Sequence, residues 1–203
     1  MHNTFKTTLE LVNPAKTDER AETILKNVKQ EMKMIPNMYL AMANTPELLE
    51  TYLYGYKKFR QDAGFSPQEQ EVIFLTISYE NGCDYCLAAH SIVADFQSKV
   101  PMDVTEAIRN GEEISDSKLK ALSEFTMTML NKRGRPAQED VDKFLTAGYS
   151  QKHILSIILA ISVKTISNYT NHLFHTPLDA AFKVREWKGY KVAGKIVQFF
   201  RGN

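Results

Sequence analysis

The sequence predicts an all-α fold, a helical bundle of two related halves of which one carries a Cys-x-x-Cys motif. Three observations point there. Apolar residues recur every three or four positions, helix starts are marked by capping residues followed by proline or an acid, and no segment alternates as a strand would. The chain has 203 residues, 43% of them apolar and 24% charged, a length and balance that suit a buried core.

Residues 1–17 read as an irregular lead-in closed by Pro14. Asp18 and Glu19 open a helix whose apolar positions are Ile24, Val28 and Met32, and Pro36 stops it. A short apolar piece, Met38 to Met42, leads to Thr45-Pro46, where threonine is placed to cap a helix carrying Leu49, Tyr52, Tyr56 and Phe59 as far as Gly64. Ser66-Pro67-Gln68-Glu69 is a second start, with a capping serine, proline at the first position and glutamate at the third. That helix runs to Asn81-Gly82, a helix-ending pair. A new one starts at Cys83 and continues to about Lys99.

Pro101 to Asn110, Ser115 to Arg133 and 137–147 follow as amphipathic segments. Ser150 is placed to cap a very apolar helix, His153 to Val163, whose composition predicts burial; its continuation, Ile166 to Phe174, ends at Thr176-Pro177. Residues 18–182 thus form a single helical domain, and 183–203 a basic, aromatic tail suited either to clamping a neighbouring subunit or to solvation.

Formal net charge is +1, so no strong field draws the chain to nucleic acid or to an anionic membrane. No apolar run approaches the roughly 20 residues of a membrane span. Residues 1–6 lack the apolar stretch and cleavage site of a signal peptide. The expected location is cytoplasmic, a reducing compartment in which paired cysteines serve catalysis or metal binding more often than stapling.

Sliding the chain against itself aligns about 65–96 with 149–180. Ser66 falls on Ser150, and Ile73, Leu75 and Ile77 fall on Ile157, Leu159 and Ile161. Cys83-Asp84-Tyr85-Cys86 falls on Ser167-Asn168-Tyr169-Thr170, Glu71 on Leu155 and His90 on Phe174. The expectation is a duplicated unit with one reactive copy and one structural copy.

The chain's two cysteines are Cys83 and Cys86, and His90 lies one turn further on. On a helix these three share a face. Cys83 falls at the helix N-terminus, where unpaired N–H groups and the macrodipole favour a thiolate. His90 is placed to accept the Cys86 proton, and Glu71, one helix earlier, to orient His90. The alternatives are two inert packed thiols or a zinc site, for which His172 and His175 are the remaining candidate ligands. Tyrosines and methionines across 32–56 suit a pocket or a subunit interface.

The pattern Glu71-x11-Cys83-x2-Cys86-x3-His90, with Glu80-Asn81-Gly82 before it, Ile35-Pro36-Asn37 upstream and Asn168-Tyr169-Thr170-Asn171-His172 downstream, resembles the alkylhydroperoxidase D / carboxymuconolactone decarboxylase family, in its uncharacterised peroxidase-related branch. The resemblance implies an all-helical fold with two related halves, assembly as homo-trimers or hexamers, and reduction of hydrogen peroxide or organic hydroperoxides through a dithiol–disulfide cycle in antioxidant defence. It implies Cys86 as the peroxidatic thiol, Cys83 as the resolving one, and Glu71 with His90 as the proton relay. It implies an external dithiol reductant, lipoyl- or thioredoxin-like, and no cofactor or metal. Tyr85 stands where the best-characterised members carry a relay histidine, and a phenol with its pKa near 10 is a poor base at neutral pH. Rival readings are a protein disulfide oxidoreductase and a non-enzymatic redox-sensing or assembly module.

Overall fold

The computed structural model describes residues 4–186. Among them it contains nine α-helices and no strand: α1 (Glu19–Met32), α2 (Asn37–Met42), α3 (Pro46–Asp62), α4 (Pro67–Glu80), α5 (Asp84–Val93), α6 (Met102–Asn110), α7 (Ser117–Asn131), α8 (Gln138–Thr146) and α9 (Gln151–Phe174). A π-helical turn, Ala94–Ser98, extends α5, and a 3-10 helix spans Ala180–Glu186. The expected all-α class is what the chain adopts. Beyond Glu186 the basic, aromatic tail lies outside the described residues.

Capping residues set most of the boundaries. The Asp18 carboxylate accepts from the Ala21 amide, and Ser66 and Glu69 form a reciprocal capping box at the start of α4. Thr45 differs from expectation: its side chain makes no capping bond, so Pro46, preset for the first turn, marks that start. At α9 it is His153 that reaches back, its Nδ1 accepting from the Ser150 amide at 3.0 Å.

Helix α4 is the central element. It packs on α5, α6, α7 and α9, and residues Glu69 to Ser78 are all buried. One apolar core surrounds its far side with Phe125, Phe144, Tyr149 and Ile157. A second, made by α1, α2, α3 and the start of α5, includes Leu25, Met42, Leu49 and Tyr52 and takes in both cysteines.

Helix α9 departs from the expected burial. Its inner face is sealed (Ile157, Ala160, Val163), but Leu155, Ile158, Tyr169 and Leu173 are each about half exposed or more. Those four recur at helical spacing, so the apolar composition covers two faces, of which this fold buries one. The helix is also continuous where the aligned segment, α4 to α5, breaks. The break needs Gly82, at φ 62°; the aligned position is Ile166, for which such a conformation is costly. No helix of the described residues is long and apolar enough to cross a membrane.

Candidate functional site

The turn between α4 and α5 builds the site. The Gly82 amide donates to the Tyr79 carbonyl and the Cys83 amide to the Ser78 carbonyl, each at 2.9 Å, a Schellman closure that lets the chain re-enter a helix at once. Cys83 thereby ends one helix and caps the next, with Cys86 in the first turn of α5, near the positive end of its dipole. Both thiols are free and 2% exposed.

Four of the five expected residues come together. His90 Nδ1 lies 2.9 Å from Glu71 Oε2, both side chains buried. Cys83 and Cys86 share a hydrogen bond, and His90 is close enough to act electrostatically on Cys86. Burial opposes ionisation of Cys86, but the Cys83 bond and then the Lys164 charge hold it well below the usual thiol range. Cys83 is pushed far up, first by its bond to Cys86 and then by burial. Of the two thiols, Cys86 is therefore the more readily ionised. Burial resists charge on Glu71 too, yet His90 and Arg60 hold its carboxyl below its ordinary value. Burial first and Lys164 second push His90 towards the neutral imidazole, against the pull of Glu71.

With Nδ1–H donating to the Glu71 carboxylate, the other ring nitrogen of a neutral His90 is left as an acceptor.

The fifth residue points elsewhere. The Tyr85 hydroxyl donates to Asp179 Oδ2 and accepts from the Met38 amide at 3.3 Å, and its ring meets Phe182 edge-on at 5.9 Å. Burial and Asp179 push its pKa up. A hydroxyl so engaged is no part of the Glu71–His90 chain; it ties α5 to α2 and to the 177–182 segment.

Several groups at the site carried no motif. Arg60 completes the acid end, its guanidinium 2.5 Å from Glu71 Oε1 and 2.7 Å from the Tyr56 hydroxyl. Asn171 reaches the sulfurs from α9, with Nδ2 at 3.3 Å from Cys86 Sγ and 3.8 Å from Cys83 Sγ. Lys164, two turns earlier on the same face of that helix, is fully buried. The Phe74 ring lies among these nitrogens: its centroid is 4.8 Å from the His90 ring, 4.8 Å from the Arg60 guanidinium and 5.6 Å from Lys164 Nζ. The findable signal was in α9: Lys164, Ser167, Asn168 and Asn171 follow i, i+3, i+4, i+7 spacing on the face that Ile157 and Ala160 begin.

One cavity reaches the dithiol and another reaches Arg60. One of about 460 Å³ is lined by Gly82, Cys83, Asp84, Asn171, His172 and His175. Another, of about 630 Å³ between α1 and α3, is lined by Met32, Tyr39, Leu53, Tyr54, Tyr56 and Arg60. His172 and His175 thus share a cavity with Cys83, but among the described residues no three His, Cys, Asp or Glu side chains gather as a metal site would need.

Fold and site together define an all-helical protein with a dithiol at a helix start, backed by a buried histidine–glutamate pair. Residues 46–125 match the model of the Carboxymuconolactone decarboxylase family, a stretch that holds Glu71, Cys83, Cys86 and His90. No curated protein matches the sequence. Among solved structures the fold is similar to an alkylhydroperoxidase AhpD core, an uncharacterised peroxidase-related protein from Ralstonia eutropha JMP134 (TM-score 0.76, 17% identity, 87% of this chain and 94% of that one). It is also similar to a peroxidase-related protein from Silicibacter sp. TM1040 (0.73, 18%, 89% and 94%). A third similar structure is the debrominase Bmp8, a cysteine-to-alanine variant in complex with 2,3,4-tribromopyrrole (0.72, 17%, 90% and 97%).

Proposed function

We propose that the protein is a thiol peroxidase that reduces hydrogen peroxide or organic hydroperoxides by cycling Cys83 and Cys86 between dithiol and disulfide. The observation that carries this reading is the placing of two adjacent, buried free thiols at a helix start beside a hydrogen-bonded His90–Glu71 pair. A thiolate is the nucleophile in such chemistry, and a neighbouring protonated thiol is what resolves its oxidised form.

In the proposed cycle His90 takes the Cys86 proton, while Glu71, held by Arg60, steadies the imidazolium. The Cys86 thiolate attacks the terminal peroxide oxygen. An S–O bond forms, the O–O bond breaks, sulfur gives up two electrons, and the leaving alkoxide takes the proton from His90. Cys83 then attacks the sulfenic sulfur; the disulfide forms and hydroxide leaves, with the Cys83 proton completing a water. An external dithiol reduces the disulfide by exchange. Cys83 lines the 460 Å³ cavity, which makes it the sulfur for the reductant to attack. With both sulfurs 2% exposed, a slender arm such as a lipoyl group suits the site better than a flat protein surface, which weighs against protein disulfides as the substrate. The exposed apolar row on α9 supports a homo-oligomer. A cytoplasmic setting fits free thiols.

The reaction is tested by stopped-flow oxidation of the reduced protein with an organic hydroperoxide. Cys86→Ser is expected to lose the reaction, and Cys83→Ser to stop at a sulfenate that a dimedone-type probe traps. Equal, slow reaction of all three would sink the proposal. Because the fold is shared with a debrominase, a bromopyrrole serves as the competing electrophile: disulfide formed with bromide release, and none with hydroperoxide, would move the assignment to dehalogenation.

A further inference from the structure

The buried face of α9 carries a cation that the cycle above leaves unused. Lys164 is fully buried, its Nζ makes no hydrogen bond, and no carboxylate of the described residues lies within ion-pair distance of it. A desolvated ammonium without an anion is among the most costly groups to bury. The Phe74 ring, 5.6 Å away, offsets a part of that cost. The acid on the other side of that ring, Glu71, is taken by Arg60 and His90. What remains is the dithiol. Lys164 stands on the same stripe of α9 as Asn171, whose amide touches both sulfurs, and Asn168 Nδ2 and Asn171 Oδ1 are likewise buried without partners.

We propose that Lys164 is the resident counter-charge of the Cys86 thiolate, a positioning residue that keeps the nucleophile ionised in a site otherwise closed to water. The other groups acting on Cys86 are accounted for: from α9, Ser167 hydrogen-bonds to it and Asn171 Nδ2 lies 3.3 Å from its sulfur, both neutral. From α5, Cys83 donates a hydrogen bond and His90 exchanges the proton; from α4, Glu71 is neutralised by its partners. From α2 and α3, Tyr39 and Tyr52 are phenols that burial keeps protonated, and Arg60 faces Glu71. Tyr85 and Asp179 are bonded to each other. Lys164 is thus the buried positive charge without an acid of its own that acts on both sulfurs. The ammonium without a thiolate, or the thiolate without the ammonium, is the costly state; together they compensate. Formation of the disulfide removes the anion and leaves Lys164 uncompensated, which pulls the cycle towards reduction.

The kinetic consequence rests on the peroxidase reading; the thiolate itself does not. The test uses the full chain with Cys83→Ser, which keeps a donor beside Cys86, alone and with Lys164→Met or Lys164→Gln. Thiolate is read from the pH profile of alkylation by iodoacetamide, and folding from the thermal midpoint. The lysine variants should remain folded and need at least one pH unit more alkali for half-maximal alkylation, so that at neutral pH alkylation and peroxide reaction both slow by about tenfold or more. Superimposed profiles in folded variants would overturn the inference. A shifted profile in a protein inert to hydroperoxide would leave it standing and remove the peroxidase reading instead.

Discussion

Two stretches of this chain share a pattern and end in opposite states. From Ser66 the chain makes a helix, breaks at Gly82 and begins again at Cys83; from Ser150 it makes one helix that runs unbroken to Phe174. At the break, a helix start with its free amides is delivered into the interior, and the reactive thiol sits in that first turn. In α9 the aligned residues, Ser167 to Thr170, lie mid-helix with their backbone amides already spent. The difference is one of backbone before it is one of side chains: a thiol at Ser167 would lack a helix terminus to face. Yet the unbroken stretch is not idle, because its inner stripe brings Asn171 to the sulfurs of the broken one.

The comparison can be broken most forcefully at Glu71, which aligns with the exposed Leu155. Glu71→Gln should cut the peroxide rate by about 10²-fold, the scale of losing a general-base assembly. It should also cost about 3 kcal/mol, because Arg60 loses its partner in a largely buried setting. The carboxyl is held below its ordinary 4.5, so its stabilisation is complete above that pH and is lost as pH falls through the lower folded value. Urea unfolding of wild type and variant should therefore differ most near pH 7, with the gap narrowing as pH falls well below 4.5; an unchanged gap would contradict the arrangement.

A smaller effect tests the break itself. A methyl at Gly82 or at Gly134 meets no atom within 4 Å, and both residues have positive φ. Gly82→Ala and Gly134→Ala should each cost about 1 kcal/mol, or roughly 2–4 °C in Tm. Only Gly82→Ala should also slow the peroxide reaction, because only that turn seats the thiols. Equal kinetics in the two variants would mean the turn does not set the sulfur geometry.

The finest contrast is the shared tyrosine. Tyr85 is buried and bonded to Asp179, whereas Tyr169 is 56% exposed and stacked on His172 at 6.3 Å. Tyr85→Phe should cost about 1 kcal/mol in thermal unfolding and Tyr169→Phe within about 0.5. Both should leave the peroxide rate within about twofold, since neither hydroxyl joins the relay. A tenfold loss in Tyr85→Phe would restore that phenol to the chemistry.

The fold class and helix starts were legible because they rest on local rules: Asp18, the Ser66–Glu69 box and the Asn81-Gly82 stop all act within one turn of themselves. The spacing of Glu71, Cys83, Cys86 and His90 was legible too, since three of them lie within two turns of one helix. What stayed hidden depends on long-range packing. Arg60 belongs to the site only because α3, packed on α9, brings its guanidinium to Glu71, and Lys164 because α9 turns that face inward. The apolarity of α9 was visible, but not which face the fold would leave bare. Continuity through Ile166 was readable in principle, from the absence of a glycine.

Phe74 carries a consequence beyond packing. Arg60, Lys164 and His90 all gather within about 6 Å of the centre of this one ring. It lends both cations some negative π density in a setting where water cannot screen them. Arg60 is paired with the carboxylate, and on the proposal above Lys164 serves the sulfur. An aliphatic residue there would fill the volume without lending either cation that density.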